Sequence, residues 1–245
     1  MNRTYPDNGY ASVTEALDVL RKIGLEMWFK FNSLEFIKAE SEKGKAIGGV
    51  LHDVVASHIE KTEIEFVTEY PDEVKTALKS FMLFKKEHPE VKLKKAEISL
   101  TSEKYKYNGT LDCLGKIKEE IIFDWKTSKC KKKSTPVIYE DYIYQVSAYV
   151  MAYNEITKKN IKQAGIVAIA KDKVAYNYLL LTEKAIKENF NEVFLPALKI
   201  FYFKNKNKED DENGGKNFKT GQGTGTNSKG SGRHSKPSGK LPVSF

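Results

Sequence analysis

The chain has 245 residues, of which 40% are hydrophobic and 11% aromatic, enough to bury one large core or two small ones. Its formal net charge of +8 favours a polyanionic partner, although charge alone does not separate nucleic acid from other acidic molecules. No apolar run approaches the roughly 18 residues of a membrane-spanning helix, no leader is visible at the N-terminus, and cytoplasm, or host cytoplasm for a viral protein, is the default expectation. Two cysteines, Cys113 and Cys130, have neither the number nor the spacing of a zinc knuckle, a cluster site or a disulfide framework. Any metal must then be held by oxygen and nitrogen.

Taken in chain order, Ser12 and Glu15 have the spacing of a capping box, which predicts a helix from Val13 into the 20s, interrupted or bent at Gly24. A second helical segment is expected over 34–42. A third, KAIGGVLHDVVASHIEK, sets Ile47, Leu51 and Val54 or Val55 at helical spacing, with Gly48, Gly49, His52 and Ala56 on an adjacent strip that a sheet can approach closely. A lone histidine there is ordinarily packed or solvated. Another helix follows Pro71, then strands at about 91–100, 104–112 and 120–127, which form an antiparallel meander. The stretch from Val137 to Ile156 reads as a long helix with a tyrosine-rich face, followed by strands at 163–171 and 174–182. A last helix over 183–203 is expected to kink or break at Pro196. From Lys208 onward Gly, Ser, Asn and Lys dominate and little can be buried, so residues 208–245 are expected to be a disordered basic tail. The tail ends in LPVSF, readable either as a docking peptide for a replication or annealing protein or as unselected sequence.

Within the meander, Asp124 and Lys126 stand two apart in the run IIFDWK, so both side chains leave one face of a strand while Trp125 leaves the other. If the reversal between strands is centred on Lys118, Asp112 lies directly across from Asp124. Facing like charges on a sheet cost roughly 0.2–1 kcal/mol, and a divalent cation between them relieves that cost. The alternative is a solvated surface pair. Further on, Gln145 and Tyr149 share a helical face with Tyr142 one turn earlier, as in an amphipathic core helix or a functional one. Lys129, Lys131, Lys132 and Lys133 form a basic run just after the last meander strand, suited to gripping phosphates or to plain solvation.

In order and placement, GGVLH ending in His52, GTLD ending in Asp112, DWK from Asp124 to Lys126, and QVSAY from Gln145 to Tyr149 resemble the motifs of the RecB-like branch of the PD-(D/E)XK nuclease superfamily. The match spans about residues 10–182. AEISL adds a strand that resembles the segment often carrying a family glutamate, here Glu97, and SVTEAL followed by MWF resembles the opening of the phage and mitochondrial single-strand exonucleases. The resemblance implies an α/β (α+β) restriction-endonuclease-like core, a central mixed sheet flanked by helices. Its domain would occupy 1–207, with N-terminal helices over 1–90, a catalytic sheet core over 91–182 and a C-terminal helix over 183–207. It further implies Mg²⁺ or Mn²⁺ held by His52, Asp112, Asp124 and the Trp125 carbonyl, the imidazole tilting preference toward Mn²⁺. Lys126 would act as base or electrostatic stabiliser beside Asp112 and Asp124, and Gln145, Tyr149, Lys129 and Lys131 would meet the substrate or orient Lys126. Asp124 stands where much of the wider superfamily has Glu, as is common in the RecB-like branch, and the four cysteines of iron–sulfur relatives are missing, which excludes a cluster.

The leading functional expectation is a metal-dependent exonuclease acting on single-stranded DNA or DNA ends in replication, recombination or repair, of viral or mobile-element type, its N-terminal helices arching over the site. An endonuclease on the same core is the rival within the enzyme class. A nuclease-like fold that only binds DNA is the rival outside it, disfavoured because every expected polar position is filled.

Overall fold

A computed structural model of the chain describes residues 7–60, 70–130 and 133–217, the stretch 207–217 as backbone only. Ser12 closes the expected box at the start of α1 (Val13–Leu17): its hydroxyl accepts from the Glu15 amide at 3.3 Å, and its own amide donates to the Glu15 carboxylate at 2.8 Å. This helix is shorter than its periodicity predicts. It stops after one turn, and Gly24 lies inside the next helix, α2 (Ile23–Phe31), rather than at the break. The two helices expected over 34–60 are one, α3 (Leu34–Glu60), which runs unbroken through Gly44, Gly48 and Gly49. A helical glycine costs about 1 kcal/mol against alanine. At Gly48 an added Cβ would lie 3.5 Å from the Thr127 hydroxyl, an ordinary contact distance, which shows how near α3 runs to the sheet.

After α4 (Asp72–Glu87) the meander appears as expected: β2 (Lys92–Ser102), β3 (Tyr107–Lys116) and β4 (Glu120–Ser128). Helix α5 (Glu140–Thr157) crosses over to β5 (Ala164–Ala170), which lies parallel to β4, and β6 (Tyr176–Leu181) returns antiparallel. A parallel neighbour cannot be reached by a hairpin, so this crossover is what makes the sheet mixed. The path β1-β3-β4-β5-β6 begins with the two-residue β1 (Ala11–Ser12), and β2 takes the other edge of β3. Helix α6 (Glu183–Asn189) passes through a π turn at Phe190–Phe194 into α7 (Leu195–Asn217), which extends beyond the expected Phe203. The wide turn lies one turn ahead of Pro196, whose ring crowds the carbonyl four residues back and offers it no N–H, so the expected disturbance occurs just upstream of the proline itself. The chain divides after Lys204, and the second unit is described only over 205–217, which is helical; most of the expected tail lies outside the described residues.

The sheet is covered on both faces. On one, Leu114, Ile122 and Ile166 pack with Val146 and Val150 of α5 and with Phe190 and Phe194. On the other, Phe123, Trp125 and Val167 pack with Leu51 and Val55 of α3 and with Phe81 and Phe84 of α4. Burial on two sides explains why β5, AGIVAIA, is apolar throughout instead of alternating. Among the described residues, no helix is long and apolar enough to cross a membrane.

Candidate active site

Strand register builds the site. The β3–β4 ladder runs from Lys116↔Glu120 to Cys113↔Phe123, turning about Lys118, and stops one step short of Asp112 and Asp124, where the strands part. On the other edge of β3, the pairs Ala96↔Cys113 and Ile98↔Leu111 set Glu97 across from Asp112. Three carboxylates therefore stand abreast on three neighbouring strands, at a fork in the sheet.

The fork is held by specific contacts. Asp112, nearly fully buried, accepts the Trp125 amide on Oδ2 at 2.9 Å, a bond that replaces the missing ladder step. Its Oδ1 faces His52 Nδ1 at 3.6 Å, and the same nitrogen is 3.1 Å from Glu97 Oε1. His52, Glu97 and Asp112 each present one ligand atom within 4.8 Å of the others, a spacing that a single cation can bridge. Glu97 holds φ at +48° in mid-strand, in the left-handed region that a residue with a Cβ seldom adopts, which marks it as constrained by its surroundings. In the sequence, Glu97 stands out only through the AEISL resemblance, which assigns it no role. The register across from Asp112 is the signal that assigns it one.

Asp124 is fully buried and stands outside that triad, turned toward Lys126, whose ammonium lies 2.9 Å from Oδ1 and 2.7 Å from Oδ2. Only Oδ1 receives a well-directed hydrogen bond; Oδ2 has none. Burial pushes the Asp124 carboxyl up to about 7, Lys126 pulls it down, and the Asp112 charge adds to the rise. For His52, burial favours the neutral ring, but Asp112 and Glu97 together outweigh it and raise the imidazole above its ordinary value. Oxygen and nitrogen donors of this kind suit a hard divalent cation, and a buried carboxyl oxygen without a directed donor is the feature such a cation would satisfy. The residues fit the group.

On the α5 side, Tyr142 sets its ring 5.3 Å from the Lys126 ammonium, a cation–π contact. Gln145 and Tyr149 are both buried and joined to each other, the Gln145 amide donating to the Tyr149 hydroxyl at 2.7 Å. The Tyr149 ring lies where a Cβ on Gly109 would meet it at 2.8 Å, so the glycine of GTLD makes room for the tyrosine of QVSAY. Tyr149 therefore supports Gln145 from beneath. Lys129 is drawn to Glu40 at 3.1 Å and Glu73 at 3.7 Å, while Lys131 and Lys132 lie outside the described residues. Trp125 packs its indole edge-on against Phe81 and Phe84, on the face opposite Lys126, as strand alternation predicts.

No family model matches the chain, and no curated protein does. Among solved structures, a candidate exonuclease of Eubacterium rectale is similar over 82% of this chain and 86% of its own, with 14% identity and a TM-score of 0.48. LHK-Exo, the alkaline exonuclease of Laribacter hongkongensis, in its complex with dAMP, is similar over 82% of this chain and 94% of its own, with 14% identity and a TM-score of 0.38. A phage-related exonuclease of Haemophilus somnus 129PT gives 82%, 96%, 14% and 0.39 in the same order. Glu97, Asp112 and Asp124 stand abreast on a central mixed sheet flanked by helices, with Lys126 two residues on and Gln145 on the crossover helix, which is the α/β architecture expected from the sequence.

Proposed function

We propose that this protein is a Mg²⁺- or Mn²⁺-dependent deoxyribonuclease that works from DNA ends. The observation that carries the reading is the fork: a His52–Glu97–Asp112 triad of ligand atoms within 4.8 Å, beside a buried Asp124–Lys126 pair at 2.7 Å. His52, Glu97 and Asp112, with Asp124 and the Trp125 carbonyl as further donors, would hold the cation, which would supply Lewis-acid polarisation of the scissile phosphate and a more acidic water. Lys126 donates to Asp124 and is held under Tyr142, which fixes a positive charge where negative charge grows on the phosphate. Trp125 holds Asp112 by one oxygen and so aims the other at His52. Gln145, braced by Tyr149 on the helix that carries Tyr142, would orient Lys126 or meet the DNA backbone. A module that only binds DNA has no use for three aligned carboxylates, since like charges abreast repel both each other and the phosphates.

Purified protein incubated with linear duplex, linear single-stranded and closed circular DNA, with and without Mg²⁺ or Mn²⁺, tests this. Stepwise loss of linear DNA in the presence of metal, with circles spared, is expected. Efficient cutting of closed single-stranded circles moves the assignment to an endonuclease, and no cleavage of any substrate with either metal overturns it.

A further inference from the structure

A cleft of about 830 Å³ opens beside the fork, between α2 and α3 on one side and the end of β4 on the other. Tyr142 lines it and also covers Lys126, so cleft and fork are continuous. Its wall is aromatic. Trp28 and Phe29 line it, with ring centroids 5.5 Å apart, on a helix none of whose residues is buried. Surface-exposed apolar stretches of this kind ordinarily mark a binding surface. Its rim is basic. Lys38 and Lys45 line it and make no ion pair among the described residues, against a single carboxylate, Glu42, that is likewise unengaged; Glu40 is taken by Lys129. Lys38, Ser41, Lys45 and His52 recur at helical spacing along one stripe of α3. Lys45 stands two turns, about 10 Å, and Lys38 four turns, about 20 Å, from the metal-ligand position of His52.

The floor of the cleft is polar. Lys171 is only 8% exposed and lines the cleft; among the described residues its ammonium makes no direct hydrogen bond or ion pair, and Glu73 and Glu40 attract it only from a distance. The Ser128 hydroxyl beside it is buried without a partner as well. A lysine taken out of water and offset only by carboxylates that do not touch it is well placed to gain from an anion seated directly on it.

We infer that this cleft receives the unpaired nucleotides of a single DNA strand next to the scissile bond, bases stacked on Trp28 and Phe29 and a backbone phosphate seated on Lys171 and Ser128. The inference rests on the nuclease reading for the fork and names the substrate form that the site takes. Apart from the outer face of a duplex's terminal pair, base faces are available to a protein ring only in unpaired strands, and stacking on aromatic side chains combined with lysines along the backbone is how single strands are held. An acidic protein segment would satisfy the lysines but leave the rings without flat partners.

Binding measured without metal separates this inference from the chemistry. In EDTA, fluorescence anisotropy with a labelled single-stranded oligonucleotide and with a blunt duplex hairpin of equal length is compared for the parent, Trp28→Ala, Trp28→Phe, Lys171→Gln and Lys171→Arg, each checked for an unchanged melting transition. Trp28→Ala and Lys171→Gln should each weaken single-strand binding by about tenfold, the scale of one lost stacking or phosphate contact, with hairpin affinity unchanged. Trp28→Phe and Lys171→Arg should restore most of it. Parental single-strand affinity in Trp28→Ala, or equal losses for both DNA forms, overturns the inference. The nuclease reading fails by a different result, undiminished cleavage by Asp124→Asn, which leaves the binding outcome interpretable.

Discussion

The fork at Asp112 and the helix α2 are opposite ways of placing unusual residues in one fold. At the fork, polar groups that prefer water are buried and tied to one another: Asp112 to the Trp125 amide, Asp124 to Lys126, His52 to Glu97. On α2, apolar groups that prefer burial stand in water, with Ile23 at 62% and Phe31 at 72% exposure. Each runs against the folding free energy, and each is tolerated because the rest of the sheet and its two apolar faces supply the stability. Residues placed against their own solvation preference are what function tends to retain, whether for chemistry or for contact.

The largest effects are expected at the fork. Asp124→Asn removes the carboxylate charge with little change in volume, and Lys126→Ala removes the cation while both aspartates remain. Each should lower the rate of DNA cleavage at saturating Mg²⁺ or Mn²⁺ by at least ~10²–10³, the usual loss for one transition-state contact, with a folded protein in both cases. Single-turnover cleavage rates decide it. Parental rates in both variants place the chemistry elsewhere.

The next largest effect belongs to the packing that allows the fork to exist. Phe84 is wholly buried and meets Trp125, Tyr176 and Tyr178 edge-on, at 5.7, 5.4 and 5.5 Å between ring centroids. Phe84→Ala should cost about 3–5 kcal/mol in urea-induced unfolding, through lost burial and the cavity left behind. A loss below about 1 kcal/mol would mean that this face of the sheet contributes far less than its burial indicates.

How much of this was legible in the sequence differs between the same two regions. The fork was largely readable, because its geometry follows from local rules: strand alternation puts Asp124 and Lys126 on one face, and a reversal about Lys118 aligns Asp112 with Asp124. Glu97 was not, since its place depends on the register of β2, which shifts between Leu93 and Lys95, and no local pattern announces that irregularity. The cleft was invisible for a related reason. Trp28, Lys45 and Lys171 meet only after the crossover through α5 sets β5 beside β4, and Lys171 carries no motif. Helix boundaries failed between the segments expected at 34–42 and from Lys45, where α3 runs on through Gly44, while the disturbance expected at Pro196 from proline chemistry is present as the π turn just ahead of it.

A smaller effect concerns the energetic cost of the fork when no cation is present. With its carboxyl raised to about 7, folded Asp124 keeps a proton that the unfolded chain has already released above the ordinary value of 3.8. Across that window the native state binds more protons, so stability falls as pH rises. His52, raised above 6.5, acts in the same sense: its contribution is complete below 6.5 and is lost as pH rises through the raised value. Surface carboxylates such as Glu120, lowered by its hydrogen bond from Lys159, act only at or below the usual carboxylate range and leave this window clear. The metal-free melting temperature should therefore decline from pH 5 to pH 8. In Asp124→Asn the decline should be shallower, and the variant should melt higher than the parent at pH 8. Calorimetric scans in EDTA test this, and a parental melting temperature that climbs steadily to pH 8 contradicts the burial cost assigned to Asp124.

The smallest effect is expected on α2, and a near-zero result is informative there. Phe31 is the most exposed large apolar residue of the described chain, and it does not line the cleft. Replacing a side chain that is already in water removes almost no buried area, so Phe31→Ser should change the unfolding free energy by no more than about 0.5 kcal/mol. Trp28→Ala, half-buried at the cleft wall, should cost little more, whereas Phe84→Ala is severe; the ratio of these losses measures how far α2 stands apart from the core. Should Phe31→Ser instead lose more than about 1.5 kcal/mol, α2 must be covered in solution. A dependence of the melting temperature on protein concentration would then identify the cover as a second copy of the chain, and that copy would have to be accommodated over the cleft before any strand of DNA.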